Sequence, residues 1–226
     1  MHTSHLGSSV GSRLGRRDVL AGVAALVAGP ASALAASSPL IVTPGQTEGP
    51  FYPVSLPADM DADLVLVQGQ TAQALGQITH ISGRVLDRRG GIVRAAMVEI
   101  WQCDAHGIYN HPRAPGHDRH DSGFQGYGRT QVDAAGRYAF RTIRPVAYPG
   151  RTPHIHYKIK KGKKELLTTQ CYIKGHPGNE RAGIWRSVRD PKARDSITVD
   201  FTPIKESRIG EVAAKFDIVL GYTPEA

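Results

Sequence analysis

Apolar residues in this chain come in short runs, each closed by glycine, proline or charged positions. The run 78–86 ends at Asp87 to Gly91, and the run 96–102 enters a long polar stretch. Further runs follow at 138–143, 154–159, 166–173, 196–201 and 216–221. Runs this short, separated by turn signals, predict β-strands, and their regular recurrence predicts an all-β sandwich. No segment keeps a 3.6-residue apolar period over a helix length. The polar stretch 104–128 is long for a compact domain, and loops of that kind usually carry function. It holds His106, Tyr109, His111, His117, His120, Asp121 and Tyr127.

Composition agrees with that picture. Twenty-five glycines and 15 prolines suit a turn-rich β fold, and 40% hydrophobic residues can fill a core. A length of 226 residues predicts one domain with a removable N-terminus. The N-terminus has Arg16-Arg17, a short apolar stretch from Ala21 to Ala28, and an Ala33-Leu34-Ala35 cleavage pattern. The paired arginines resemble a twin-arginine export signal, so residues 1–36 are expected to be removed and the protein to be periplasmic. An ordinary secretory signal is the other reading. The apolar stretch is too short to span a bilayer comfortably, so no stable membrane association is expected after signal removal. Residues 37–60, rich in Pro and Gly, read as an irregular arm lying over the body, and 61–226 as the sandwich domain.

The formal net charge is +8, and the signal region accounts for two of those charges. The basic residues are scattered, apart from a cluster between Lys158 and Lys164, and no nucleic-acid motif accompanies them. A solvated basic surface is expected, with no nucleic-acid partner. Cys103 and Cys171 form no CxxC motif, which excludes a zinc ribbon. They read as small buried residues, with a single disulfide as the alternative in an exported protein.

The chemistry gathers around His154-Ile155-His156. In a strand these two imidazoles share a face, while Ile155, Tyr157 and Ile159 share the other. Tyr148 and Arg151 precede the pair within a few residues. A cupin site would need a glycine and a glutamate at set distances; Gly150 is too close and Glu165 too far. A zinc hydrolase would add a carboxylate or a third histidine, which His111, His117 or His120 could supply.

Several stretches together resemble the intradiol ring-cleavage dioxygenases, the protocatechuate 3,4-dioxygenase and catechol 1,2-dioxygenase superfamily. They are Thr47-Glu-Gly49-Pro50-Phe-Tyr52, Val98 to Tyr109, Gly136 to Pro149, Arg151-Thr-Pro-His154-Ile-His156 and Leu167-Thr-Thr-Gln170-Cys-Tyr172. The resemblance spans about 43–202. It implies a transthyretin-like β-sandwich with long active-site loops and one Fe(III) per chain. Tyr109 matches the tyrosinate that stays on iron, Tyr148 the tyrosinate that substrate displaces, and His154 and His156 the imidazole ligands. Arg151 and Gln170 match residues around the metal, and Gly49 and Pro50 an arm segment near the substrate. The implied reaction opens a catechol-type diol between its hydroxyls with O2, giving a muconate-type dicarboxylate.

The stretch between Tyr148 and His154 is shorter than in protocatechuate dioxygenases, so the pocket rim is expected to differ. No stretch resembles the helical dimerisation segment of catechol 1,2-dioxygenases, and a homo-oligomer stays open. Pro149 and Gly150 predict a turn that lets the Tyr148 ring swing. The same sandwich could also serve as a non-catalytic binding domain. Trp101 reads as core, and His106, His111, His117 and His120 as loop or pocket-rim residues.

Overall fold

The computed structural model describes residues 39–224. The export signal expected over 1–36 therefore lies outside the described residues. An irregular segment runs from residue 39 to Gln77, longer than the expected arm. After it come β1 (Ile78–Asp87), β2 (Ala96–Trp101), β3 (Tyr127–Gln131), β4 (Arg137–Ile143), β5 (His154–Lys161) and β6 (Lys164–Ile173). Two short helices follow, α1 (Gly183–Ser187) and α2 (Pro191–Ser196). The remaining strands are β7 (Thr198–Val199), β8 (Phe201–Pro203), β9 (Val212–Lys215) and β10 (Ile218–Leu220).

The strands form two five-stranded sheets. One is built on β1, which pairs antiparallel with β4 and parallel with both β9 and β10, while β8 extends it beyond β9. The other runs β3-β2-β5-β6-β7. The all-β sandwich expected from the strand pattern is thus what the chain forms. Strand β1 shows why: Ile81 and Val85 are fully buried while His80, Ser82 and Arg84 are exposed, the period of two that one covered face requires. From the second sheet, Ala96, Val98, Ile100, Ile155, Tyr157 and Ile159 close onto the same core.

The opposite face of the second sheet is covered by the irregular arm and the 104–126 loop, and the site lies there. The arm crosses as a strap. Thr43 N–H donates to Val219 O (2.9 Å) and Thr169 Oγ1 to Pro44 O (2.8 Å). Gln46 N–H donates to Thr168 O (2.8 Å), and Gln170 Nε2 to Thr47 O (2.9 Å). Lys158 then clamps it. Its ammonium pairs with Glu48, lies 3.4 Å from Glu165 Oε2 and sits 3.8 Å from the centre of the Tyr52 ring. The Tyr52 hydroxyl donates to Glu99 at 2.8 Å. Both cysteines are free and buried, Cys171 in the main core and Cys103 in the cluster under the loops. Neither forms a disulfide.

Candidate metal centre and ring pocket

Strand register assembles the site. His156 lies opposite Trp101 on β2 and opposite Gln170 on β6; Trp101 in turn lies opposite Tyr127 on β3. His154 lies opposite Tyr172. Residues at directly paired positions share a face, so these side chains form one row across four strands. The Trp101 indole stacks on the His156 ring, with centroids 4.8 Å apart and planes 9° from parallel. The sequence placed Trp101 in the core and missed this role, because register between distant strands is not written in local pattern.

The two imidazoles point Nε2 to Nε2 at 3.1 Å. His154 Nδ1 lies 2.7 Å from the Thr152 carbonyl, so it carries the proton and leaves Nε2 with a free lone pair. Two imidazole nitrogens bound at about 2.1 Å to one ion, at right angles, would stand about 3.0 Å apart. Both rings are held neutral. Burial, helped by the positive Arg151, lowers His154 to about 3. Burial, His154 and Arg151 together hold His156 well below the ordinary histidine range. Neutral imidazole is the form that binds metals.

Two tyrosines complete the cluster. Tyr109 is 3% exposed and its hydroxyl is buried with no hydrogen-bond partner. A buried orphan hydroxyl costs about 1–3 kcal/mol, so it asks for a ligand. Its ring lies 6.1 Å from that of His156 and 5.6 Å from that of Tyr148. Tyr148 lies 5.8 Å from His154. Burial pushes both phenols above the ordinary tyrosine value; Tyr148 opposes Tyr109's ionisation, and Arg151 favours ionisation of both. Each would become a phenolate on contact with a strong cation.

The donor set fits a hard, highly charged ion. Among the described residues no group of three or more His, Cys, Asp and Glu side chains is arranged to hold a metal. The third histidine a zinc hydrolase would want is not beside the pair. His111 packs edge-on to Phe51, and His117 stacks on His120 at 5.2 Å.

Arg151 is fixed by a turn. Tyr148 and Arg151 exchange backbone hydrogen bonds (3.3 and 2.9 Å) around Pro149-Gly150, with Gly150 at φ 77°. Proline then glycine with positive φ is the requirement of a type II turn. The turn is closed on both sides by these bonds, and the swing expected of Tyr148 is one of its ring about its side-chain bonds. Arg151 Nη1 lies 3.3 Å from Tyr148 Oη, and Arg151 Nη2 donates to Gln170 Oε1 at 2.6 Å. Gln170 also receives the Tyr172 hydroxyl (2.8 Å). It therefore joins the arginine, Tyr172 on its own strand and the strap.

The strap passes close. Gly49 sits at φ 74°, and a Cβ there would lie 3.4 Å from His156 Cε1. Pro50 O accepts from Arg113 Nη2 at 3.1 Å, and Phe51 stacks on Tyr109 at 4.8 Å. Gly107, at φ 79°, brings the loop against Tyr148: a Cβ there would be 3.0 Å from the Tyr148 Cβ. Together Phe51, Ile108, Tyr109, Tyr148, His106 and Arg119 line a pocket of about 640 Å3, a size suited to a small ring. Arg119 on this wall had no signal in the sequence.

The dioxygenase family model matches residues 47–221. Protocatechuate 3,4-dioxygenase beta chain from Burkholderia cepacia is 35% identical over 180 residues, covering 76% of either chain. Hydroxyquinol 1,2-dioxygenase from Corynebacterium glutamicum is 31% identical over 189 residues, 71% of this chain and 59% of that one. Among solved structures, one similar fold is the dioxygenase domain of a dioxygenase carbohydrate-binding protein fusion from Streptomyces sp. SirexAA-E. It has a TM-score of 0.60 and 29% identity, covering 80% of this chain and 98% of that one. The alternative of a non-catalytic sandwich gives way, and the chain belongs to the dioxygenase family as an intradiol ring-cleavage enzyme.

Proposed function

We propose that this intradiol dioxygenase holds one Fe(III) per chain on Tyr109, Tyr148, His154 and His156. It uses O2 to open a catechol-type ring between its hydroxyls, giving a muconate-type dicarboxylate. The observation that carries the reading is the convergence of two neutral imidazole nitrogens, 3.1 Å apart, beside the buried orphan hydroxyl of Tyr109. Ferric ion, when bound, supplies the Lewis acidity and the electron-accepting capacity that the reaction needs.

The chain's own groups then divide the work. Tyr148 is the more exposed tyrosine and lines the pocket, so its Oη is the one placed to take a proton from a catechol hydroxyl. Tyr109, packed under Phe51, stays in place. Arg151, 3.3 Å from Tyr148 Oη, offsets negative charge on a deprotonated diol, and Gln170 holds the guanidinium where it can do so. Gly49 and Pro50 close the far side over His156, and the apolar wall of Phe51 and Ile108 keeps water from the ring. The purified protein should be red to brown, because tyrosinate on Fe(III) absorbs visible light, and should hold about one iron per chain. A colourless, active zinc protein would overturn the reading.

The Arg16-Arg17 pair supports export in the folded state, with the mature chain starting near Ala36 or Ser37. Changing both arginines to lysine should leave activity in the cytoplasm; unchanged export of that variant would point to the ordinary secretory route.

A further inference from the structure

His154 is aimed by one hydrogen bond, from its Nδ1 to the Thr152 carbonyl. What holds Thr152 therefore bears on the metal centre. Thr152 is buried between the 148–151 turn and the start of β5, and its side chain does not line the ring pocket. Its hydroxyl is gripped from outside the site, by residues 176–179 just beyond β6. Thr152 Oγ1 lies 2.9 Å from Asn179 Oδ1 and 3.2 Å from His176 Nδ1. Asn179 Nδ2 donates to Ile173 O at 2.8 Å, so the amide presents Oδ1 to Thr152 as an acceptor. His176 Nδ1 already accepts from the Gly178 N–H at 3.1 Å, and the single hydroxyl proton of Thr152 therefore goes to Asn179.

Asn179 is itself tied down. It is buried and opens a 3-10 turn over Asn179–Arg181. Its N–H donates to His176 O and its carbonyl accepts from Ala182 N–H, both at 3.0 Å. Gly178 shows that this loop is shaped around the threonine. Its backbone sits at φ −69° and ψ −23°, which any residue adopts, so the turn does not require a glycine. Space requires it: a Cβ there would lie 2.9 Å from both Thr152 Oγ1 and His176 Nδ1.

We propose that Asn179 is a positioning residue of the metal centre. By holding the Thr152 hydroxyl it fixes the carbonyl that sets the proton and the direction of His154. The role rests on His154 being an iron ligand, as argued above. Groups that orient a metal-bound imidazole change metal affinity about 10–100-fold when removed.

Two measurements test this together. One is iron affinity by chelator competition. The other is hydrogen exchange of the His154 Nδ1 proton by NMR of the metal-free full chain, which needs no iron. Asn179→Ala and Gly178→Ala should each weaken iron binding about 10–100-fold and speed exchange of that proton about tenfold or more. Thr152→Val, which removes the hydroxyl and keeps the branched shape, should match them. Thr152→Ser, which keeps the hydroxyl, should stay near wild type. Ile81→Val, a core change in the other sheet, should lower stability and leave both measurements unchanged. Wild-type affinity and exchange in folded Asn179→Ala and Gly178→Ala would overturn the role, as would an equal loss in Ile81→Val or a Thr152→Ser as impaired as Thr152→Val. Absence of iron from the wild type would overturn the proposed function alone; the proton exchange would still decide the role of Asn179.

Discussion

Strand β5 has two faces that are buried almost equally and built from different chemistry. Ile155, Tyr157 and Ile159 are 0% exposed on one; His154, His156 and Lys158 are 2%, 2% and 6% exposed on the other. The first face meets another sheet, whose regular backbone satisfies its own hydrogen bonds and offers only side chains. The second meets an irregular strap and loop, whose free N–H and C=O groups need partners. A polar face is stable there because the cover is polar too: Lys158 holds Glu48, Gln170 holds Thr47, and His154 holds Thr152. Burial on the first face stabilises the fold; burial on the second selects protonation states.

The widest separation of the two faces should come from His156→Ala. It should abolish activity and reduce iron in the purified protein to a small fraction of one per chain, while the fold survives; metal analysis and circular dichroism check both. His120→Ala, away from the pair, should keep its iron. Tyr148→Phe is the next largest effect. It should still bind iron and catechols, but kcat should fall by about 10²–10⁴, the range for losing a positioned proton acceptor. A kcat equal to that of wild type would return Tyr148 to a structural role. Ile155→Ala, between the two ligands but facing inward, should do the reverse: stability drops by about 2–5 kcal/mol in denaturant unfolding while the folded protein keeps its iron. Smallest is Lys158→Met. Glu48 and Glu165 are half exposed, so losing their partner should cost only about 1 kcal/mol. Its mark should instead be local, as faster proteolysis within residues 43–52 and a higher KM.

What could be read from the sequence was what is local. The His154-x-His156 pair and its inward neighbours follow from the two-residue strand period, and seven of the strands, β1, β2, β4, β5, β6, β7 and β10, fall on apolar runs. Strand β9, Val-Ala-Ala-Lys, carries too little apolar weight to stand out, and β3 begins inside the stretch taken as loop. The helices α1 and α2, of five and six residues, are shorter than the window over which a 3.6-residue period can be seen. The stacking of Trp101 on His156 and the guanidinium of Arg119 on the pocket wall depend on register and loop closure. Those are set by contacts far apart in the chain. Tyr148 and Arg151 stand out by their closeness to the His pair, but their roles, and the choice of Tyr109 and Gln170, rest on the resemblance of whole motifs, since no period or composition links a loop, a turn and two strands.

The strap also sets a timetable. Its residues leave the ribosome early, but their partners come late: Thr43 waits 176 residues for Val219, Pro44 waits 125 for Thr169, and Glu48 waits 110 for Lys158. At about 5–20 residues per second, the longest of these waits lasts roughly ten to thirty-five seconds of synthesis. Closing such distant contacts is also the slow part of folding. The segment that covers the imidazole face of β5 is thus made more than a hundred residues ahead of the strands that hold it in place.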